Sequence, residues 1–269
     1  MNTGRSFAKI VLVLGVAAWC IGIVGWATWN DMGVSADSCA YLFAARSFAA
    51  GEGLRTGPAP GLETGVPLRH YPPLYPLVLG VIERCGISLP LGAKALNIIC
   101  VALSAMGLAV CLLRMAPPHL ALVIGAIFCT HTVFLLPHAM VWSEPLFMTF
   151  LLAMGVGFGS PRRSIMRAAG LGMLAGGLCL TRYAGAAFAA AGCAILLSDG
   201  IPLRQRLVNA GAFAGTAGLC VGLWWMRSRG MPGAADARHF VLHPPGLWHL
   251  RTLGEAIFEW VAPTDLGPF

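Results

Sequence analysis

Long apolar runs recur along this chain, and they limit the folds that it can adopt. The first run extends from Ile10 to Ala27. A helix of about 20 such residues crosses the hydrocarbon core of a bilayer. The predicted spans are 10–28, 92–113, 119–136, 142–159, 165–181, 183–198 and 207–226. The sequence therefore predicts an all-α, polytopic transmembrane helix bundle of about seven spans.

The overall composition is that of a membrane protein. Hydrophobic residues make up 57% of the chain and charged residues only 11%, and the mean hydropathy is +0.75. Soluble proteins carry about 25% charged residues. The net charge of +7 could suggest nucleic acid as a partner, but the basic residues lie between apolar segments. Because that placement is typical of loop anchors and headgroup contacts, we expect membrane lipids and no nucleic acid as partners.

The basic residues also predict an orientation. Arg5 and Lys9 precede the first run, which is longer than the apolar core of a signal peptide. We therefore expect a retained first span that starts in the cytoplasm of a multi-pass protein of the cell inner membrane. The later basic loops fall on the same side if segment 73–86 does not cross. They contain Arg114, His119, Arg162, Arg163, Arg167, Arg204 and Arg206.

This orientation brings Asp37, His70, Glu144 and Arg182 to the external face, together with loop 29–91. Two basic residues of the predicted external tail depart from the positive-inside rule, Arg227 and Arg229. The domain organisation predicted from this layout is a transmembrane domain over 1–226 and an external tail over 227–269.

Loop 29–91 separates the first span from the others and holds five of the chain's eleven carboxylates. These are Asp31, Asp37, Glu52, Glu63 and Glu83. Segment 37–50 predicts a short surface helix, and segment 73–86, interrupted by Glu83 and Arg84, predicts an interfacial or re-entrant helix. Titratable groups gathered beside a bilayer favour chemistry, or binding of a charged ligand, at that surface.

Glu144 and Arg182 each allow a structural and a functional interpretation. Glu144 lies between Ser143, which suits an N-cap, and Pro145, which suits a first helical turn. As a functional group, it would be a carboxylate held at the lipid boundary. Arg182 lies between two short apolar segments, where it can reach the lipid headgroups or grip a phosphate bidentately beside Tyr183.

The loop offers similar alternatives. Asp37 lies at the predicted start of its helix, where it can be the N-cap or can accept a proton from an acceptor hydroxyl. Arg69, His70 and Tyr71 precede two prolines that stiffen an extended segment, and His70 is either a polar loop residue or part of a site. The other six histidines show no metal-ligand spacing. We predict no metal and no other cofactor.

Cysteine usage adds little to the functional picture. Seven of the nine cysteines lie in apolar runs, where they behave as small hydrophobic residues. No CxxC pair is present, which leaves a zinc or redox motif without support. Cys39 and Cys85 share the long loop and could form a disulfide in an oxidising compartment.

Three separated motifs resemble a known family. In loop 29–91, Asp37 is followed by Tyr41-Leu42, Ala45-Arg46, Gly51-Glu52-Gly53 and His70-Tyr71-Pro72-Pro73-Leu74-Tyr75-Pro76-Leu77. The later motifs are Ser143-Glu144-Pro145-Leu146-Phe147 and Leu180-Thr181-Arg182-Tyr183. In this order they resemble the polytopic GT-C glycosyltransferases, above all the bacterial family related to dolichyl-phosphate-mannose-protein mannosyltransferases and lipid A aminoarabinose transferase.

The resemblance implies transfer of a sugar from a polyprenyl-phosphate carrier to a glycan, lipid or protein acceptor on the external, periplasmic face. Asp37 matches the loop aspartate that orients or deprotonates the acceptor, and Glu144 matches a second acidic position. From the physical chemistry of phosphate binding we add Arg182, and less directly Arg69 and His70. Tyr41, Tyr71 and Tyr183 complete the expected substrate-binding set.

Members of that family usually run longer, so we expect the chain to be C-terminally short, with its tail forming a juxtamembrane helix. Leu247, Leu250, Leu253, Ile257, Trp260 and Val261 would form one apolar face of that helix. A truncated and inactive glycosyltransferase is therefore one alternative. Another is a non-catalytic membrane protein, namely a lipid-phosphate binder, an assembly partner or a small-solute transporter.

Overall fold

The computed structural model describes residues 3–57, 65–160, 164–229 and 246–261, and within these ranges the regular secondary structure is helical, with no strand longer than an isolated bridge. The helices are α1 (Thr3–Ala27), α2 (Ala36–Ala49), α3 (Leu74–Arg84), α4 (Leu89–Met115), α5 (Pro118–Thr130), α6 (Thr132–Ala139), α7 (Glu144–Phe158), α8 (Ile165–Thr181), α9 (Gly185–Leu197), α10 (Leu203–Arg229) and α11 (Leu247–Val261). The predicted all-α class is confirmed.

The chain divides into two compact units, Met1–Ala235 and Asp236–Phe269. The second unit contains α11, which confirms that the predicted tail segment is helical. Leu247, Leu250 and Leu253 are all exposed on it, and Arg251 pairs with Glu255 one turn later at 2.8 Å.

Within the described residues, three helical segments are long and apolar enough to cross a membrane: Lys9–Ala27, Leu89–Met115 and Leu203–Ser228. Helices α5 and α6 meet at a bend of 51° and would form a fourth span if taken together. The apolar helices α7, α8 and α9 have only 15, 17 and 13 residues. At about 1.5 Å per residue they are shorter than a hydrocarbon core of about 30 Å. The predicted count of seven spans is therefore not confirmed.

Close helix packing depends on small residues. A Cβ atom at Gly172 of α8 would lie 2.2 Å from the carbonyl oxygen of Phe213 in α10, so this glycine allows the two backbones to approach closely. Gly170, two residues earlier, has nothing within 4 Å of the same position. Contacts between small residues are a common way to pack helices in membranes, where lipid is as apolar as the side chains.

Loop 29–91 packs on the end of the bundle through α2 and α3. Tyr41 and Ala45 of α2 share a buried apolar cluster with Tyr75 and Leu79 of α3 and with Ala93 near the start of α4. The predicted helices 37–50 and 73–86 thus correspond to α2 and α3. Because α3 is only 11 residues long, it is far too short to span the bilayer.

Candidate functional site

The start of α2 places Asp37 beside the segment that leads into α7. Ser35 is the N-cap of α2 and forms a capping box with Ser38, so the interpretation of Asp37 as the cap is wrong. Asp37 lies in the first turn instead, where a carboxylate also complements the helix dipole. The Trp142 indole donates to the Ser35 hydroxyl at 2.8 Å and ties the helix start to the residues before Glu144.

The exposed carboxylate of Asp37 is oriented by a tyrosine from the far end of the loop. The Tyr71 hydroxyl donates to Asp37 Oδ1 at 2.7 Å. The Tyr71 ring lies edge-on to Tyr41, with centroids 5.1 Å apart, and against the exposed His70 ring at 4.8 Å. Buried Pro72 follows at once, so the backbone that carries Tyr71 is restricted.

Glu144 is the first residue of α7. Ser143 occupies the N-cap position but makes no side-chain capping bond, which corrects the predicted capping role. Its buried hydroxyl lies 3.2 Å from the hydroxyl of Tyr41 instead. Pro145 occupies the first turn as predicted. The serine hydroxyl therefore contacts α2 and does not cap its own helix.

Glu144 and Arg182 form a direct ion pair through Oε1 and Nη1. Arg182 is the C-cap of α8 and has extended backbone angles, so the chain breaks there rather than running on into α9. Gly185 makes this break possible, because a Cβ atom on it would lie 2.4 Å from the backbone of Leu178. The side chains are 31% and 39% exposed, and such a pair contributes little to stability.

Both carboxylates and the guanidinium act on the phenol of Tyr41, which is 4% exposed. Burial is the main cause that raises the pKa of Tyr41, and the hydrogen bond with Ser143 opposes it. The charges of Glu144 and Asp37 raise the pKa further, whereas the Arg182 charge lowers it. Asp37, Glu144 and Arg182 are therefore all close enough to one hydroxyl to affect its ionisation.

Arg69 joins the site to the last helix of the unit. Its Nη2 donates to the carbonyl of Ser228 near the end of α10, and the Tyr183 hydroxyl donates to the carbonyl of Arg69 at 3.0 Å. Arg69 Nη1 is buried and has no hydrogen-bond partner among the described residues. A buried guanidinium nitrogen without an acceptor is costly, so an acceptor brought to this atom would lower the energy of the site.

These contacts connect all eight residues that the sequence predicted for the site. The connected set consists of Asp37, Tyr41, Arg69, His70, Tyr71, Glu144, Arg182 and Tyr183. They come from loop 29–91, the start of α7 and the turn after α8, which the predicted topology placed on one face. The end of α10 also lies here, since the carbonyl of Ser228 accepts from Arg69.

Two residues that support the site were missed in the sequence. Asn97 of α4 is 1% exposed, and its Nδ2 donates to the carbonyls of His138 and Met140 at 3.0 and 2.7 Å. Lys94 donates to the carbonyls of Thr28 and Trp29 just beyond α1. A polar residue inside an apolar helix usually indicates a functional role, and this pattern in the sequence could have identified both Asn97 and Lys94.

Two further expectations concern metals and disulfides. Within the part of the chain that the structure describes, no three side chains of His, Cys, Asp or Glu are grouped so that they could hold a metal ion. Cys39 and Cys85 are both free and exposed. Their thiols can therefore serve as chemical probes of loop 29–91.

Comparison with known proteins adds no name to this site. No family model, curated protein or solved structure matches the chain.

Proposed function

We propose that this chain is an integral-membrane glycosyltransferase of the GT-C type. It transfers a sugar from a polyprenyl-phosphate carrier to a glycan, lipid or protein acceptor at the external face of the inner membrane. The observation that carries the proposal is the set of contacts at this end of the bundle, where Tyr71 holds Asp37 at 2.7 Å and Glu144 pairs with Arg182. Two carboxylates and a fixed cation at one end of an apolar bundle suit the transfer of a group from a lipid phosphate.

Asp37 is the general base of the proposed reaction. Its carboxylate is exposed, so an acceptor hydroxyl can reach it, and Tyr71 holds Oδ1 by a hydrogen bond of 2.7 Å. Because one oxygen is fixed, the other has a defined direction in which to accept a proton. A base held in this way typically accelerates a reaction by about 10²- to 10⁴-fold.

Arg69 and Arg182 bind the phosphate of the donor. Arg69 offers the buried, unpartnered Nη1, and Arg182 is fixed by its ion pair with Glu144 while keeping other N–H groups. Glu144 is a positioning residue in this scheme, because it touches Arg182. The sugar then lies between these cations and Asp37, beside the half-buried ring of Tyr71.

The step balances without any further reactant. The acceptor oxygen forms a bond to the anomeric carbon of the sugar while its proton passes to Asp37. The bond between that carbon and the phosphate oxygen breaks, and its electron pair stays with the polyprenyl phosphate. Arg69 and Arg182 stabilise the charge that develops on this leaving group. Attack opposite the leaving group inverts the anomeric centre.

We also propose that the chain crosses the membrane about seven times. The short helices α7 and α8 have Glu144 and Arg182 at the ends that face the site. A bilayer can thin locally around short helices at modest cost. Thinning at the site would bring the lipid phosphate closer to Arg69.

A transfer assay tests the proposal. Membranes containing the full chain are incubated with a radiolabelled polyprenyl-phosphate sugar and an acceptor extract. Asp37→Asn is expected to lower the transfer rate by about 10²-fold or more, because the variant cannot accept the proton. Asp31→Asn, the same change at another exposed carboxylate of the loop, is the matched control and should leave the rate unchanged.

The donor half is tested by binding. Arg69→Gln and Arg182→Gln are expected to weaken binding of the labelled donor, whereas Asp37→Asn should retain it. Transfer that survives Asp37→Asn together with Glu144→Gln would contradict the assignment of the site. A wild-type chain that binds the donor but never transfers the sugar would instead support a lipid-phosphate binder.

A further inference from the structure

A groove between α1 and α4 lies at the end of the helices opposite to Glu144. The two helices are antiparallel, since Lys94 near the start of α4 reaches the carbonyls just beyond the end of α1. Lys9, at the other end of α1, and Arg114, at the other end of α4, line the same groove. Its volume is about 460 Å³, within the range of ligand pockets.

The groove has apolar walls and a cationic end. Ile10 and Leu14 of α1 are 57% and 55% exposed, and Val110 and Leu113 of α4 form the facing wall. Lys9 and Arg114 are exposed, and neither forms an ion pair with a carboxylate within the described ranges. The cavity therefore combines a hydrocarbon surface with two positive charges.

Arg114 is already oriented at this end. Its Nη1 donates to the carbonyl of Val156 at 2.8 Å, in the last turn of α7, where a cation also complements the helix dipole. An arginine side chain has five N–H donors, so others remain for a ligand. Its planar fork matches the oxygens of a phosphate.

The position along the helix agrees with a lipid headgroup. Lys94 and Arg114 are 20 residues apart on α4, which corresponds to about 30 Å of helix. That distance equals the thickness of a hydrocarbon core of about 30 Å. In a chain that spans the bilayer, with Lys94 at the level of the candidate site, Arg114 would lie at the opposite membrane surface, where lipid phosphates are found.

We infer that this groove binds one anionic phospholipid. Its phosphate lies between Lys9 and Arg114, and an acyl chain follows Ile10, Leu14 and Val110. A zwitterionic lipid would bring its own cation and compensate the two protein charges less well. The inference does not rest on the proposed transferase activity, because the groove lies at the far end of the helices from that site.

Photo-crosslinking tests this site in the full chain. Nanodiscs contain equal amounts of phosphatidylglycerol and phosphatidylcholine, one of which carries a diazirine-bearing acyl chain, and labelled peptides covering 9–14 and 106–114 are quantified. One basic residue near an anionic surface favours binding by about five-fold, so two predict a preference of about 25-fold for phosphatidylglycerol. The double variant Lys9→Gln/Arg114→Gln should abolish that preference.

Matched variants separate a bound lipid from general surface charge. Arg204→Gln removes an exposed cation outside the groove and should leave the preference intact, whereas an equal loss there would overturn the site. Lys9→Arg keeps the charge and must retain labelling, even if the double variant fails to fold. Equal labelling by the two lipids in the wild type would overturn the inference. Displacement of phosphatidylglycerol by substoichiometric polyprenyl phosphate would overturn the assigned occupant.

Discussion

Replacing Asn97 with leucine is expected to destabilise the connection between α6 and α7. The Asn97 amide is 1% exposed and binds two backbone carbonyls, those of His138 and Met140. The last carbonyls of a helix have no intrahelical N–H partner, so the end of α6 depends on donors from elsewhere. Leucine has the same side-chain branching but no donor, and both carbonyls would lose their partner.

The expected loss follows from the two hydrogen bonds. A buried group left without its partner costs about 1–3 kcal/mol in proteins. Hydrogen bonds between helices in membranes average about 0.6 kcal/mol. Because no water can reach a site that is 1% exposed, we expect a value between these limits. The free energy of unfolding should fall by about 1–3 kcal/mol, because loss of the two bonds is partly offset by removal of Asn97 Oδ1, which is buried without a partner among the described residues.

Unfolding by SDS in mixed micelles, followed by tryptophan fluorescence, measures this change. Asn209→Leu is the matched control, because Asn209 is 2% exposed and makes no side-chain hydrogen bond to the described residues. This variant breaks no hydrogen bond, so it should not lower the free energy of unfolding. If Asn97→Leu lowers it no more than the control does, the amide does not hold the α6–α7 connection and the reasoning fails.

Three further predictions concern packing, an unpartnered hydroxyl and topology. Gly172→Ala should lower the free energy of unfolding by about 1–3 kcal/mol, because the added methyl group clashes with α10. Gly170→Ala should raise it by up to about 1 kcal/mol. If Gly170→Ala were the more destabilising of the two, the packing of α8 on α10 would be contradicted. Tyr75→Phe should leave the free energy of unfolding unchanged or slightly higher, because the hydroxyl is buried without a hydrogen-bond partner among the described residues. A loss above about 1 kcal/mol would mean that the hydroxyl does have such a partner. A membrane-impermeant maleimide added outside intact cells should label Cys39 and Cys85 within minutes, since both are exposed and free; protection of both thiols would invert the proposed orientation.

Much of the helical layout could be predicted because it depends on local hydrophobicity. The predicted segment 165–181 matches the bounds of α8, and the predicted helix 37–50 differs from α2 by one residue at each end. The count of spans could not be predicted in the same way. In the sequence, an apolar run ends at the next polar residue. A helix instead ends where its backbone leaves the helical conformation, and α9 has only 13 residues for this reason.

Two helix N-caps were predicted wrongly from the sequence. Ser35 and Asp37 both suit an N-cap, and composition alone cannot choose between them. In the structure Ser35 is the N-cap, and Asp37 accepts a hydrogen bond from Tyr71. Ser143 likewise suits a cap, but its hydroxyl contacts Tyr41 instead. In both cases the choice was made by a side chain that is distant in sequence.

The sequence by itself determined that the chain is helical, membrane-compatible and polar at a few positions, because these properties arise within short segments. Only the tertiary structure decided which polar groups meet. Tyr71 reaches Asp37 across 34 residues, and Tyr41 reaches Ser143 across 102. Such contacts depend on how α2, α3, α4 and α7 pack against one another. An apolar pattern sets which face of a helix is buried, but it does not fix the rotation and depth that bring two hydroxyls within hydrogen-bonding distance.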